Sequence, residues 1–114
     1  MKRLIFFALL STVLSAAYFG PGLVSSSGTA HAFEIVGLGN KCLDVFGGNP
    51  VDAMPIILFQ CHGGLNQQWS LQPNGAIRGL GNKCLDVFGG NVADGTQLIL
   101  FQCHGGINQQ FRFQ

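Results

Sequence analysis

Residues 37–49 recur without change as residues 79–91, and residues 57–64 recur as residues 99–106. Asn66-Gln67-Gln68-Trp69 returns as Asn108-Gln109-Gln110-Phe111, so every match carries the same 42-residue offset with no gap. Only residues 50–56, against 92–98, diverge appreciably. Self-similarity at one fixed period constrains this chain more than any other feature. Each copy is one supersecondary unit, and it needs neighbours to close its core.

Within a copy the punctuation is dense and the apolar runs are short. Residues 41–46 and 56–61 read as strands, rich in β-branched and aromatic residues and bounded by glycine turns. Residues 67–72 read as a third strand, and residues 76–79 open the next copy after the Pro73-Asn74-Gly75 turn. No stretch shows helical periodicity over eleven or more residues. Short strands at close, regular spacing predict an all-β barrel or trefoil rather than a sandwich of long strands.

The first residues stand outside this pattern. Lys2 and Arg3 precede an apolar run over 4–14, and small and polar residues follow as far as Ala30-His31-Ala32. This is the layout of a secretory signal peptide over 1–32, with cleavage after Ala32. The run is shorter than the roughly 20 apolar residues a bilayer span needs, and Gly20-Pro21-Gly22 breaks it. The mature chain, 33–114, would then be secreted and carry no membrane span, with repeats at about 33–74 and 75–114.

The mature segment carries Lys41, Arg78, Lys83 and Arg112 against Glu34, Asp44, Asp52, Asp86 and Asp94. These charges nearly cancel, so no electrostatic patch points to nucleic acid or anionic lipid. So small a domain buries little surface and usually needs staples. Cys42, Cys61, Cys84 and Cys103 are an even count in an exported chain, with two at equivalent positions in each copy. Of the three possible pairings, duplication favours Cys42–Cys61 and Cys84–Cys103. Zinc is the competing reading, because Cys61-His62 and Cys103-His104 set potential ligands side by side. It is disfavoured: no C-x2-C pair exists, and adjacent ligands on an extended backbone face opposite ways.

Cys42-Leu43-Asp44-Val45, Ile57-Leu58-Phe59-Gln60-Cys61 and Asn66-Gln67-Gln68-Trp69 together resemble the ricin B-type lectin repeat, whose Gln-x-Trp signature is Gln67-Gln68-Trp69 here. The elements recur in order in both copies, so the resemblance covers nearly all of the mature chain. It implies a β-trefoil with an intra-repeat disulfide and shallow sites for galactose, xylose or a related glycan, one potential site per repeat. Asp44 and Asp86 match the aspartate that binds sugar hydroxyls. Phe59 and Phe101 fall where the family places an aromatic ring under the sugar. Asn66 and Asn108 match the asparagine that bonds a ring hydroxyl, and Gln67 and Gln109 the glutamine that buttresses the aspartate. A neutral sugar does offer hydroxyls to a carboxylate and an amide, and C–H bonds to an aromatic face. Two departures stand out. Ile57 and Ile99 replace a frequent glutamine, and the stacking ring is Phe rather than Trp or Tyr; both point to weak or altered binding.

Other readings are simpler for several residues. Trp69 and Phe111 are expected in the repeat core, and His62 and His104 read as turn residues ahead of Gly-Gly. Gly37-Leu38-Gly39 lacks the third glycine and following helix of a dinucleotide fingerprint, and nothing else implies a cofactor. No serine sits in a nucleophile elbow, and Asp44 and Asp86 mark two copies of one site rather than an acid/base pair. The chain therefore reads as a binding module and not an enzyme. A protein-interaction or inhibitor scaffold with decayed sugar sites is the alternative. A trefoil needs three copies, and two are present. The chain is expected to be a truncated barrel, an open two-repeat fold exposing apolar surface, or a self-associating chain in which three molecules complete two trefoils. The last is favoured.

Overall fold

The computed structural model describes residues 31–114, so all but the last two residues of the expected leader lie outside the described residues. The described part is all-β. Six strands, β1 (Lys41–Val45), β2 (Met54–Gln60), β3 (Ser70–Leu71), β4 (Ile77–Arg78), β5 (Cys84–Val87) and β6 (Leu98–Phe101), form one antiparallel sheet. Their order is β1-β2-β6-β5-β4-β3. Among the described residues, no helix is long and apolar enough to cross a membrane.

The repeat dictates this order. Each copy contributes one long hairpin, β1–β2 with Asp44 opposite Ile57, and β5–β6 with Asp86 opposite Ile99. Each hairpin is entered through a tight turn, Leu38–Asn40 or Leu80–Asn82. Two successive residues there are left-handed, Gly39 (φ 70°) with Asn40 (φ 58°) and Gly81 (φ 65°) with Asn82 (φ 59°). Glycine and asparagine tolerate that conformation best, which explains the Gly-Asn pair in both copies. The disulfides Cys42–Cys61 and Cys84–Cys103 tie the first residues of each hairpin to its end. Closing a loop of this length contributes roughly 3 kcal/mol per bridge. With both sulfurs of each pair bridged, Cys61 and Cys103 have no thiolate to offer a metal.

The Gln-x-Trp segment departs from the expected strand over 67–72. Leu65–Gln67 is a single 3-10 turn, and the strand is only Ser70–Leu71. The physical reason lies in the glutamine, whose side chain turns inward to bond other segments and pulls the backbone into a tight turn. Beyond it, Trp69 and Phe33 exchange backbone hydrogen bonds (2.8 and 2.9 Å), joining the two ends of the first copy. In the second copy the Phe111 N–H donates to the Gly75 carbonyl (2.9 Å), 42 residues further along on both sides.

The core is built from both copies: Val45, Ile56, Trp69, Ile77, Leu85 and Leu100. Trp69 is 1% exposed, and its Nε1–H donates to the Leu43 carbonyl (3.1 Å). A Cβ on Gly79 would sit 2.6 Å from the Trp69 ring, so the indole of the first copy rests on bare backbone of the second. Strand β2 pairs with β6 through Met54–Leu100 and Pro55–Ile99. An ion pair closes the same seam. Lys83 Nζ donates to Asp52 Oδ1 (2.7 Å), which also accepts the Gln102 N–H (2.9 Å). The Lys83 hydrogen bond, helped by that from Gln102, holds the Asp52 carboxyl below its ordinary range. A depressed carboxyl stabilises the fold above the usual carboxylate range, and the effect is lost as pH falls through the lowered value.

Trp69→Ala should therefore loosen the seam and the core together. The expected loss is about 3–5 kcal/mol in a urea titration, most of the stability of a domain this small. A loss below about 1 kcal/mol would mean the indole is not the keystone of the core.

Candidate functional site

Asp44 lies fourth along β1, and its side chain sits in the sheet beside Ile57 on β2. It is only 3% exposed, and a carboxylate so buried needs partners. Gln67 supplies one. Its Nε2 donates to Asp44 Oδ2 (2.7 Å) and to the Gln60 carbonyl (2.9 Å), while its Oε1 accepts the His62 N–H (2.8 Å). The fully buried amide thus ties the aspartate, the end of β2 and the turn beyond it into one bracket.

That turn carries His62 over the aspartate. His62 Nε2 stands 3.6 Å from Asp44 Oδ2, and Nδ1 accepts the Gly64 N–H (3.1 Å). With Nδ1 accepting, the neutral ring carries its proton on Nε2, facing the carboxylate. Gly64 has to be bare: an added Cβ would lie 2.6 Å from the imidazole and 2.9 Å from Asn66 Oδ1. Phe59 is half exposed, and its ring meets the His62 ring edge-on at 5.9 Å between centroids. Asn66 Nδ2 donates to the Val45 carbonyl (3.1 Å). Asp44, Phe46, Gly47, Ile57, Phe59, His62 and Asn66 line one open hollow of about 340 Å³.

The second copy repeats the geometry. Gln109 Nε2 donates to Asp86 Oδ2 (2.8 Å) and to the Gln102 carbonyl (2.9 Å), and Gln109 Oε1 accepts the His104 N–H (2.9 Å). His104 Nε2 lies 3.6 Å from Asp86 Oδ2, with the Phe101 ring 6.1 Å from its own. Asn108 Nδ2 donates to Asp86 Oδ1 (3.2 Å) as well as to the Val87 carbonyl (3.3 Å).

All four residues singled out in each copy from the sequence therefore lie together: Asp44, Phe59, Asn66 and Gln67, and again Asp86, Phe101, Asn108 and Gln109. The histidines are the addition, since His62 and His104 read as turn residues in the sequence. The available signal was the pairing of a histidine three residues beyond the aromatic with a Gly-Gly that leaves room for its ring. Ile57 lies directly across from Asp44 and lines the hollow, so an apolar wall stands where a glutamine would offer an amide.

The ricin-type β-trefoil lectin domain family model matches residues 31–114. Among solved structures, the chain is similar to the β-trefoil lectin of the Vibrio vulnificus hemolysin/cytolysin with N-acetyl-D-lactosamine bound. That match has 30% identity and a TM-score of 0.58, and covers 73% of this chain and 61% of the other. It is similar to a non-toxic type II RIP homologue from Momordica charantia (bitter gourd) in complex with α-methyl-D-galactoside, at 31% identity and TM-score 0.60, covering 68% and 29%. It is also similar to ThreeFoil, a designed 3-fold symmetric protein, at 32% identity and TM-score 0.58, covering 61% and 54%. The chain spans less than two thirds of the length of each of these proteins.

The bracket has a direct test in Gln67→Glu, which keeps the shape and puts a second carboxyl against Asp44. Ionising that carboxyl beside another is unfavourable, so its pKa in the folded variant rises above the unfolded value. The stability it allows is present below the unfolded carboxylate range and is lost as pH rises through the raised value. A rise of about two pH units corresponds to ~2.7 kcal/mol lost at neutral pH. Denaturant unfolding should show the variant much weaker than wild type at pH 7 and closer to it near pH 4. Equal stability at pH 7 would mean the amide is not held against Asp44.

Proposed function

The chain belongs to the ricin-type β-trefoil lectin family, and from that premise we propose that it is a secreted carbohydrate-binding module with two equivalent sugar sites and no catalytic step. One observation carries the reading. In each copy a buried, bracketed carboxylate stands beside an aromatic ring, and in the first copy the two line an open hollow. The Gln67 bond that fixes Asp44 is made at Oδ2, which leaves Oδ1 to accept a sugar hydroxyl. Asn66 and the Nε2–H of His62 are donors at the same rim, and Phe59 offers an apolar face for ring C–H bonds. The corresponding residues of the second copy are Asp86, Phe101, Asn108, Gln109 and His104; there Asn108 already donates to Asp86 Oδ1 (3.2 Å), so a sugar hydroxyl would share that oxygen with the amide.

The ligand class is a neutral glycan of the galactose or xylose type. The galactoside and N-acetyllactosamine in the similar structures support the galactose side of that choice. An open hollow and Ile57 in the wall predict weak contact per site, so affinity is expected to come from multivalent glycan engaging both copies. Catalysis has no support. Asp44 and Asp86 do the same work in separate sites, whereas glycoside hydrolysis needs two differentiated carboxyls in one cleft. Export is supported by the two disulfides together with the leader pattern over 1–32. The apolar replacement at Ile57 and Ile99 favours one second reading, a protein-interaction or inhibitor scaffold whose sugar sites have decayed.

Polysaccharide pull-down and glycan-array binding separate the two readings. Wild type should bind galactose- or xylose-containing glycans, and Asp44→Ala plus Asp86→Ala should weaken binding by roughly 10- to 100-fold, the loss of a charge-assisted bond per site. A wild-type chain that captures a protein but no glycan would make the scaffold reading correct.

A further inference from the structure

We propose that a second copy of this chain inserts one of its repeats between the trailing face of the second repeat and the leading face of the first, reusing the contact that joins the repeats within one molecule. Inside the chain, the trailing side of the first copy meets the leading side of the second. Asp52 bonds Lys83, the Ala53 N–H donates to the Leu100 carbonyl (2.7 Å), and Trp69 covers Gly79. Moving 42 residues along gives the trailing side of the second copy, Asp94, Gly95 and Phe111. Moving 42 residues back gives the leading side of the first, Lys41, Leu58 and Gly37.

Identical residues differ in exposure only by where they stand in the array. Leu100 is fully buried under the first copy, whereas Leu58 is 46% exposed. Leu80 packs against the core, whereas Leu38 is 88% exposed. On the trailing side, Val92 is 97% exposed, whereas its counterpart Pro50 lies against Gly81 of the other copy. The chemistry of the seam is nonetheless kept on both open faces. Residues 92–98 are the stretch where the copies diverge most, yet Asp94 stands where Asp52 does. Gly95 (φ 88°) also keeps the left-handed backbone of Ala53 (φ 73°), which aims the donating N–H. Asp94 is thus matched to Lys41, Gly95 to the Leu58 carbonyl, and Phe111 to Gly37 of another molecule.

The occupant is a single repeat, not a whole second chain. In a three-repeat ring, a rigid second molecule docked by its first repeat would place its second repeat onto the first repeat already present. The donor therefore opens between its copies, at the Pro73-Asn74-Gly75 turn, and gives one repeat to each of two rings. Three separate chains make three repeat-to-repeat contacts, and two closed rings made from them have six. Exchange of an identical element is a low-cost route to such assemblies. The inference rests on the trefoil geometry of the family and not on sugar binding.

Light scattering or sedimentation equilibrium of the mature, disulfide-bonded chain without glycan tests it. The expected mass is three times that of the chain. Leu58→Asp and Asp94→Lys should each bring the mass down threefold, to that of the monomer, with the far-UV spectrum unchanged. If Leu58→Asp unfolds, Asp94→Lys decides, because Asp94 is exposed and makes none of the internal seam. A wild-type monomer at high concentration, a dimer or tetramer, or a mass that Asp94→Lys leaves unchanged would each overturn the proposal. Glycan binding by a strict monomer would overturn it while leaving the lectin reading intact.

Discussion

A buried amide holds each repeat in shape. Gln67 has no exposed surface, and it uses both its donor and its acceptor ends to join Asp44, the last residue of β2 and the backbone of His62. Without it, the buried Asp44 carboxylate would lose its hydrogen bond at Oδ2, a cost of about 1–3 kcal/mol or more and so a large share of the stability of a domain this size. The bracket also explains the local backbone: the 3-10 turn at Leu65–Gln67 brings the amide inward, and Trp69 follows into the core. Structure and candidate site therefore share one interaction. The group that stabilises the repeat is also the group that presents a carboxylate to the hollow.

The second constraint acts between repeats. A hairpin of this length cannot bury its own apolar face, so β2 finds its partner in β6 and Trp69 finds its surface on Gly79. In the first copy Asp44, Phe59 and Asn66 line the hollow while Asp52, Ala53 and Trp69 make the contact between copies; in the second copy Gln102 joins the two, its N–H on Asp52 and its carbonyl on Gln109.

Much of this is legible in the sequence alone. Exact duplication points to the intra-repeat cysteine pairing, and the Cys-Leu-Asp-Val element reads as a strand because apolar residues surround one polar position. Three things are not legible, each for a physical reason. The stretch at 67–72 looks like a strand by composition, but the demand of a buried glutamine overrides propensity. His62 looks like turn punctuation, and only the 2.6 Å that separates its ring from a Cβ built on Gly64 reveals that the glycines make space for it. Leu58 and Leu100 are the same residue in the same local sequence. Their different burial comes from position in the array, which no local pattern encodes.

On the proposed reading, two independently bracketed carboxylates, Asp44 and Asp86, each hold a sugar. Calorimetric titration with a galactose- or xylose-containing oligosaccharide too short to bridge both copies tests it most directly. Equivalent sites predict about two ligands per chain of equal, weak affinity, falling to one per chain in Asp44→Ala with the remaining affinity unchanged. Two ligands per chain surviving in Asp44→Ala would contradict it, as would wild-type binding to a single site.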